Sequence, residues 1–483
     1  MAPNPLRAPV ESPPFREAFA HIRAQFGVPT TFPPEVESEA RAVVERGVVS
    51  TPRIDARDIA FVTIDPLGSK DLDQAFHAEK RGDGFRVHYA IADVAAFVTA
   101  GSALDRESFA RGVTLYLPDG RAPMLPDTLG EGAASLLPND DRPALLWTID
   151  LDPHGERTDA RLERAIVRSR AALDYPSVQQ HLDADTADEP LQLLRDIGIR
   201  RRELEAARGG FSLDLPSQDV VPAADGTFDL VYTAPLPVEG WNAQISLLTG
   251  MEAARLMVEA RAGILRTLPP PQQFLLDRLR RTARALHVAW PKDSSWADVV
   301  RNLDRTRPDD AAFLIQASHV LRGAGYVKLD AATTSDPTAI PIHAGVGAPY
   351  AHVTAPLRRL ADRYANEIVV AHCAGATPPE WAVAALDSLV ETMEKATQRS
   401  AGIEHAAVDA VECAVLAGHI GQRFDAIVVD QNQHGAIVQL PRPAVVAPVA
   451  AHLALGDEIT VKVTAVDPVA RRVSLEPDTP PPA

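Results

Sequence analysis

The stretch Phe61-Val62-Thr63-Ile64-Asp65-Pro66-Leu67-Gly68-Ser69-Lys70-Asp71-Leu72-Asp73-Gln74-Ala75 decides how the chain is read. Ile59–Ile64 is a short apolar run of strand type that delivers Asp65. Pro66 and Gly68 break the strand and open a loop. Asp71 and Asp73 alternate, so on an extended backbone they point to the same side. A loop that doubles back brings Asp65 near them. Three carboxylates crowd together only if something relieves their repulsion, and a divalent cation does so. An all-oxygen ligand set favours magnesium or manganese over zinc. Asp, Gly and Pro also make ordinary solvated turns, so the spacing alone leaves both readings open.

Working outward, residues 51–410 are expected to form an α/β catalytic domain, a mixed sheet with surrounding helices. Phe85–Ile91 alternates like a strand, and helical patterns follow at Ser246–Leu265, Phe274–Leu286, Ala311–Leu321, Leu357–Ala371 and Trp381–Ala396. Residues 415–477 change character: Phe424–Val429, Gly435–Leu440, Ala444–Pro448, Glu458–Val466 and Arg472–Leu475 read as five short strands, which fits a small all-β OB-fold barrel. The last residues, 478–483, are Pro-rich and read as a flexible tail. Residues 1–50 read as a short helical N-terminal segment. Phe15, Phe19, Ile22 and Phe26 share one face and Gly27 stops the helix; Val36, Ala40 and Val43 repeat the pattern before Gly47. This segment is either a packed cap or a helix-turn-helix-like piece that touches nucleic acid.

The length of 483 residues predicts two or three domains, and 46% hydrophobic with 23% charged residues is the balance of a soluble globular protein. No apolar stretch is long enough to span a bilayer, and the N-terminus lacks a signal-peptide pattern, so a cytoplasmic location is the expectation. Cys373 and Cys413 have no metal-ligand spacing and read as buried free thiols. The net charge of −17 argues against a protein that simply coats nucleic acid, but not against an enzyme with a locally basic channel.

The acidic stretch resembles the catalytic domain of the ribonuclease II and ribonuclease R family, in which a Thr-Ile-Asp strand is followed by a loop ending in Asp-x-Asp-Asp. Thr63-Ile64-Asp65 and Asp71-Leu72-Asp73 match that pattern. Tyr89-Ala90-Ile91-Ala92-Asp93-Val94, Leu104-Asp105-Arg106, Tyr116-Leu117-Pro118, Pro123-Met124-Leu125-Pro126, Ser135-Leu136 and Asp141-Arg142-Pro143 are similar to the segments that follow. Far downstream, Tyr350-Ala351-His352-Val353-Thr354-Ala355-Pro356-Leu357-Arg358-Arg359 resembles the family's second signature. The five-strand segment resembles the OB-fold RNA-binding domain that closes these enzymes.

The resemblance implies an exoribonuclease that hydrolyses single-stranded RNA from its 3′ end with magnesium, manganese being an alternative, and releases nucleoside 5′-monophosphates. It implies Asp65, Asp71 and Asp73 as metal ligands, with Asp71, Asp73 and Arg358 in catalysis. Tyr116 would stack on a base, and Arg358, Arg359, His352 and Tyr350 would contact RNA. Asp362, one turn beyond Arg358, is placed to orient it.

Departures from the pattern sharpen these expectations. The fourth acidic position is Gln74, which could offer a metal one neutral oxygen but no charge. A weakened enzyme follows, or alternatively an RNA-binding regulator of the same fold that has lost turnover. Ala355 and Leu360 replace the usual serine and tyrosine, and Asn242 and Gln244 stand where acidic residues are usual. Fifty N-terminal residues are too few for the two cold-shock barrels that normally precede this domain, so RNA is expected to be gripped differently. The arginines at 200–202, and Arg278, Arg280, Arg281 and Arg284, read mostly as solvated helix faces.

Overall fold

The structure is a computed structural model that describes residues 13–48, 51–215, 217–222, 228–304, 307–432 and 435–478. Two helices open it. In α1 (Pro13–Gln25) the residues Phe15, Phe19 and Ile22 are wholly buried, and in α2 (Pro34–Arg46) Val36, Ala40 and Val43 are buried. Burying one such Phe or Ile contributes about 1.5–3 kcal/mol. The apolar face of α1 is used in the same core that holds the C-terminal barrel, which favours the packed cap.

The central sheet is built from β1 (Ile54–Asp55), β2 (Phe61–Asp65), β3 (Gln74–Arg81) and β4 (Gly84–Ala92), then, beyond helix α3 (Ala103–Arg111) and the small hairpin β5 (Leu115–Leu117) and β6 (Gly120–Ala122), from β7 (Asp141–Leu151) and β8 (Arg157–Asp174). Its order is β1-β8-β2-β3-β4-β7. β1 and β2 run parallel to β8 and the other neighbours are antiparallel. The 18-residue β8 pairs with β7 along its first part and with β1 and β2 along its end, so the sheet curls until its two sides share one strand. Trp147, Tyr89, Phe61, Phe76 and Phe85 fill its core.

Helices α4 (Tyr175–Asp183) and α5 (Glu189–Ala207), the hairpin β9 (Ser217–Pro222) and β10 (Phe228–Thr233), and the 24-residue α6 (Pro237–Ala260) follow. The periodicity that predicts a helix from Ser246 through Leu265 overruns. The helix stops at Ala260 because Arg261 turns left-handed at φ +54°, and Gly263 sits at φ +155° with no room for a side chain beside Met257. Ile264 and Leu265 therefore lie in β11 (Gly263–Thr267), not in a helix. Between β11 and its antiparallel partner β12 (Gly325–Leu329) the chain makes α7 (Gln273–Ala285), α8 (Trp296–Arg301) and α9 (Pro308–Ser318), which share a small core with Val429.

α10 (Leu360–Cys373) is buried along most of its length. The helix expected over Trp381–Ala396 is broken at Ala385 into α11 (Glu380–Ala384) and α12 (Leu386–Ala417), whose 32 residues reach the last domain. There β13 (Arg423–Asn432), β14 (Gly435–Leu440), β15 (Val445–Val449), β16 (Glu458–Asp467) and β17 (Arg472–Pro477) close a five-stranded barrel in the order β13-β14-β15-β17-β16. The expected C-terminal tail lies outside the described residues, apart from Asp478. Cys413 is buried and Cys373 only partly so, and both are free. Among the described residues no helix is long and apolar enough to cross a membrane.

Candidate active site

β2 carries Asp65 to the end of the sheet, where it lies opposite Asp174 of β8. Asn242 of α6 steadies that strand end, donating to the Ile64 carbonyl at 3.4 Å and to the Tyr175 hydroxyl at 3.3 Å. The loop beyond is clamped by one side chain. The Ser135 hydroxyl donates to the Lys70 carbonyl at 2.6 Å and accepts from the Leu72 amide at 3.0 Å, while the Leu136 amide donates to the Leu72 carbonyl at 3.0 Å. Asp71 and Asp73 leave this clamp in different company.

Asp73 is buried and fully bonded. Its Oδ1 accepts from the Leu357 amide at 2.8 Å and its Oδ2 from Arg358 Nε at 3.0 Å. Asp71 is at the rim: its Oδ2 accepts from the Tyr116 hydroxyl at 3.3 Å and lies 3.0 Å from Arg121 Nη1. Burial pushes the Asp73 and Asp65 carboxyls up to about 7, with Asp71 adding repulsion and Arg358 pulling both back down. The three aspartates, Arg358 and Tyr116 thus lie within one electrostatic neighbourhood.

The backbone explains how distant segments meet. Residues 112–114 run as a short ladder beside Arg358–Leu360: the Thr114 amide donates to the Arg358 carbonyl at 3.0 Å and the Leu360 amide to the Gly112 carbonyl at 2.9 Å. This ladder fixes the β5–β6 hairpin, with Tyr116 and Arg121, beside the turn that carries Arg358.

The structure places several expected site residues in specific company. Among the described residues no three His, Cys, Asp or Glu side chains converge as the site stands without an ion. Arg358 and Arg121 compensate Asp73 and Asp71 instead. Gln74 is occupied as well: its Nε2 donates to the Thr354 carbonyl and its Oε1 accepts from the Tyr89 hydroxyl at 3.2 Å. Asp362 does not orient Arg358. It is wholly buried, bonds Arg359 through both oxygens at 3.0 and 2.8 Å, and accepts from the Ala355 amide at 2.6 Å. Arg359 thus spends its Nε and Nη2 on Asp362. Tyr350 is buried against Gly250 of α6 and ring-packed between His343 and His352. His352 Nδ1 lies 2.8 Å from the Tyr326 hydroxyl, and burial with the charges of Arg359 and Arg266 holds the ring well below its usual pKa. A neutral, hydrogen-bonded imidazole brings a phosphate no charge, and both Tyr350 and His352 are engaged with protein side chains behind the turn.

Asn242 reaches the site, whereas Gln244 turns away to Glu205 at 3.0 Å. Of the arginines at 200–202 only Arg201 is buried, with a bond to the Gly155 carbonyl, while Arg200 lies over Phe85 and Arg202 pairs with Asp214, both partly exposed. Arg121, Ser135 and Tyr175 were not legible as site residues. An arginine near a Gly and two prolines reads as turn charge, and only the hairpin's docking aims it inward.

The donor chemistry fits a hard cation. All three aspartates offer carboxylate oxygens, and among the described residues no protein donor reaches Asp65. A bound cation would offset both the burial and the lesser repulsion from Asp71 that raise Asp65 and Asp73.

Comparison with known proteins gives the family and the fold. Residues 53–375 match the RNB domain model, and residues 422–478 match the RNase II-type exonuclease C-terminal S1 domain. Ribonuclease R of Vibrio cholerae is 23% identical over 445 residues, covering 86% of this chain and 53% of that protein. Exosome complex exonuclease RRP44 homolog A of Arabidopsis thaliana is 29% identical over 341 residues, covering 67% and 36%. The chain therefore spans about a third to a half of the length of these relatives. The apo form of Mycoplasma genitalium RNase R superposes with a TM-score of 0.82 at 21% identity, over 96% of this chain and 78% of that one. Yeast Ssd1, a pseudonuclease, superposes at 0.67 and 16% identity, over 94% and 55%. The Asp65–Asp73 loop and the Arg358 turn thus both fall within a match covering well over half the chain, and the chain belongs to the RNB family, with an S1 barrel at its C-terminal end.

Proposed function

We propose that the chain is a 3′ to 5′ exoribonuclease that hydrolyses single-stranded RNA to nucleoside 5′-monophosphates with magnesium, or manganese in its place. The observation that carries this reading is the pairing of Asp73 with Arg358, beside Asp65 and Asp71. Arg358 bonds Asp73 through Nε, which leaves its Nη groups to meet two non-bridging oxygens of a phosphate. Asp65, Asp71 and Asp73 would hold the cation, whose chemistry is to acidify a bound water and polarise the phosphate. Tyr116, half-buried at the rim, offers a ring for a terminal base, while its hydroxyl keeps Asp71 in place. The barrel contributes a further RNA surface of modest strength, with Phe424 and few other rings. 5′-labelled RNA incubated with magnesium is expected to shorten stepwise with release of monophosphates, and EDTA to stop it. A mid-chain cut, or product formation that ignores EDTA, would count against the proposal.

One observation favours a second reading, an RNA-binding protein without turnover: the fourth acidic position is an amide whose two ends are both bonded to protein. The pseudonuclease Ssd1 has a similar fold. This reading predicts RNA binding with no monophosphate at any magnesium or manganese concentration.

A further inference from the structure

The hairpin β5–β6 has two unlike faces. Its register pairs Leu115 with Ala122, Tyr116 with Arg121 and Leu117 with Gly120. Side chains alternate along a strand, and cross-strand partners share a face. Leu115, Leu117 and Ala122 therefore form one side, and all three are buried in the core that also holds Phe15, Phe19 and Ile22 of α1. Tyr116 and Arg121 form the other side, and both reach Asp71. One side of the hairpin thus rests on the α1 core and the other on the acidic loop.

Root and tip of the hairpin are held by different parts of the chain. The root is fixed by the ladder between residues 112–114 and Arg358–Leu360. The tip, Pro118-Asp119, is gripped by Arg23 of α1. Arg23 Nη2 donates to Asp119 Oδ1 at 2.7 Å and Nε to Oδ2 at 3.3 Å. Such a two-pronged pair fixes direction as well as distance. The two side chains are 21% and 24% exposed. The end of α1 is itself anchored. Arg399 of α12 donates to the Phe26 carbonyl at 3.0 Å and to the Gly27 carbonyl, and the Phe26 ring lies on Gly402, where a β-carbon would stand 2.8 Å from it. Arg471 of the barrel donates to Gln25 Oε1 at 2.8 Å. Arg23 therefore projects from a fixed base.

We infer that Arg23 is a positioning residue: by holding Asp119 it presets the hairpin so that the Tyr116 ring stands ready for the terminal base of RNA. The inference rests on the reading above, in which Tyr116 stacks on that base, and deepens it by naming what sets the ring's place. Apolar contact is non-directional, so Leu115 and Leu117 hold the hairpin down without fixing its angle. The ion pair supplies the angle. A ring ordered before RNA arrives spares the binding step the cost of ordering it. The effect therefore falls on affinity for the 3′ nucleotide and little on stability, to which a partly exposed ion pair adds little. The N-terminal helices thereby act at the site from behind, as a brace.

The test uses single-stranded RNA with 2-aminopurine as its 3′-terminal base, bound to the full chain in EDTA so that it is not cleaved. Stacking on a ring quenches the fluorescence of this base. The unaltered chain is expected to quench it. Arg23→Ala is expected to lose most of the quench and to bind about tenfold more weakly, the scale of one base stacked on a ring. Its melting temperature should move by no more than about 3 °C. Asp119→Asn, which breaks the pair from its other end, should give the same loss. In a Tyr116→Ala background, Arg23→Ala should cost nothing further, because the ring it positions is gone. A further loss of affinity there, or full quenching by the Arg23→Ala or Asp119→Asn chain, overturns the brace alone. An unaltered chain that binds this RNA without quenching it, and no more tightly than Tyr116→Ala does, sinks the stacking reading of Tyr116 and the brace with it.

Discussion

Arg358 holds Asp73 through Nε at 3.0 Å, joining positions 285 residues apart in the chain. The Leu357 amide takes the other carboxylate oxygen. Asp73 is therefore both the expected metal ligand and the peg on which the Ala355–Arg359 turn hangs. Asp73→Asn keeps an acceptor and the shape but removes the charge. Hydrolysis is expected to fall at least about a hundredfold, the scale of losing one strong electrostatic contact in a transition state, with RNA affinity within a few-fold. Equal rates of monophosphate release from the two proteins would refute the site assignment.

Neighbouring arginines should differ in what they cost. Arg358→Ala removes a group facing the proposed phosphate position, so activity is expected to drop about a hundredfold, and the buried Asp73 keeps only the Leu357 amide, so the melting temperature falls as well. Arg359→Ala leaves the buried Asp362 carboxylate unpaired, and breaking such a pair costs about 3–5 kcal/mol. Urea unfolding would show that loss. An Arg359→Ala protein as stable as the original would mean that Asp362 finds another partner.

Restoring the fourth acid is not a gain in this setting. Gln74→Asp replaces a donor with a carboxylate facing the Thr354 carbonyl and shortens the reach to Tyr89. An orphaned buried acceptor costs about 1–3 kcal/mol, so thermal unfolding should begin several degrees lower. A more stable variant would show that the Tyr89–Gln74–Thr354 chain contributes nothing.

Glu412 of α12 gives a pH signature distant from the acidic loop. It accepts from Gln218 Nε2 of β9 and from the Val446 amide of β15, both at 3.3 Å. Burial pushes its carboxyl up to about 8 from the ordinary 4.5. Between those values the folded chain keeps a proton that the unfolded chain has released, so stability falls as pH rises from about 4.5 to 8 and then levels. Glu412→Gln should flatten that slope and melt higher than the unaltered chain at pH 9. Parallel melting curves across pH 5–9 would contradict it.

The α1 face was legible from its helical period, and the barrel strands as short apolar runs between turn residues. Phe15, Phe19 and Ile22 recur as a helix requires, and Gly435–Leu440 matches its strand residue for residue. β8 was not legible. Its sequence, Arg157–Asp174, alternates charges with small residues, and its length follows from pairing with three different strands. The α6–β11 junction was hidden because apolar residues continue across it while the backbone at Arg261 and Gly263 changes hand. At the site, Asp65, Asp71, Asp73 and Arg358 could be named from motif spacing. The engagement of Gln74 by Tyr89, and of Asp71 by Arg121, depends on which face of one segment docks on another, and no local pattern encodes that.

The hairpin of β11 and β12 has a consequence for how the molecule is made. The segment 268–324, with three helices, separates its two strands, so β12 cannot zip until that lobe has been synthesised and has collapsed. Leu357 and Arg358 come later still, and pairings of such long sequence separation form slowly. A nascent chain emerging from a ribosome thus exposes the Asp65–Asp73 loop long before its arginine exists. Asp71 can meet Arg121 early, but Asp73 is born without its counter-charge and waits until the chain has been extended past Arg358.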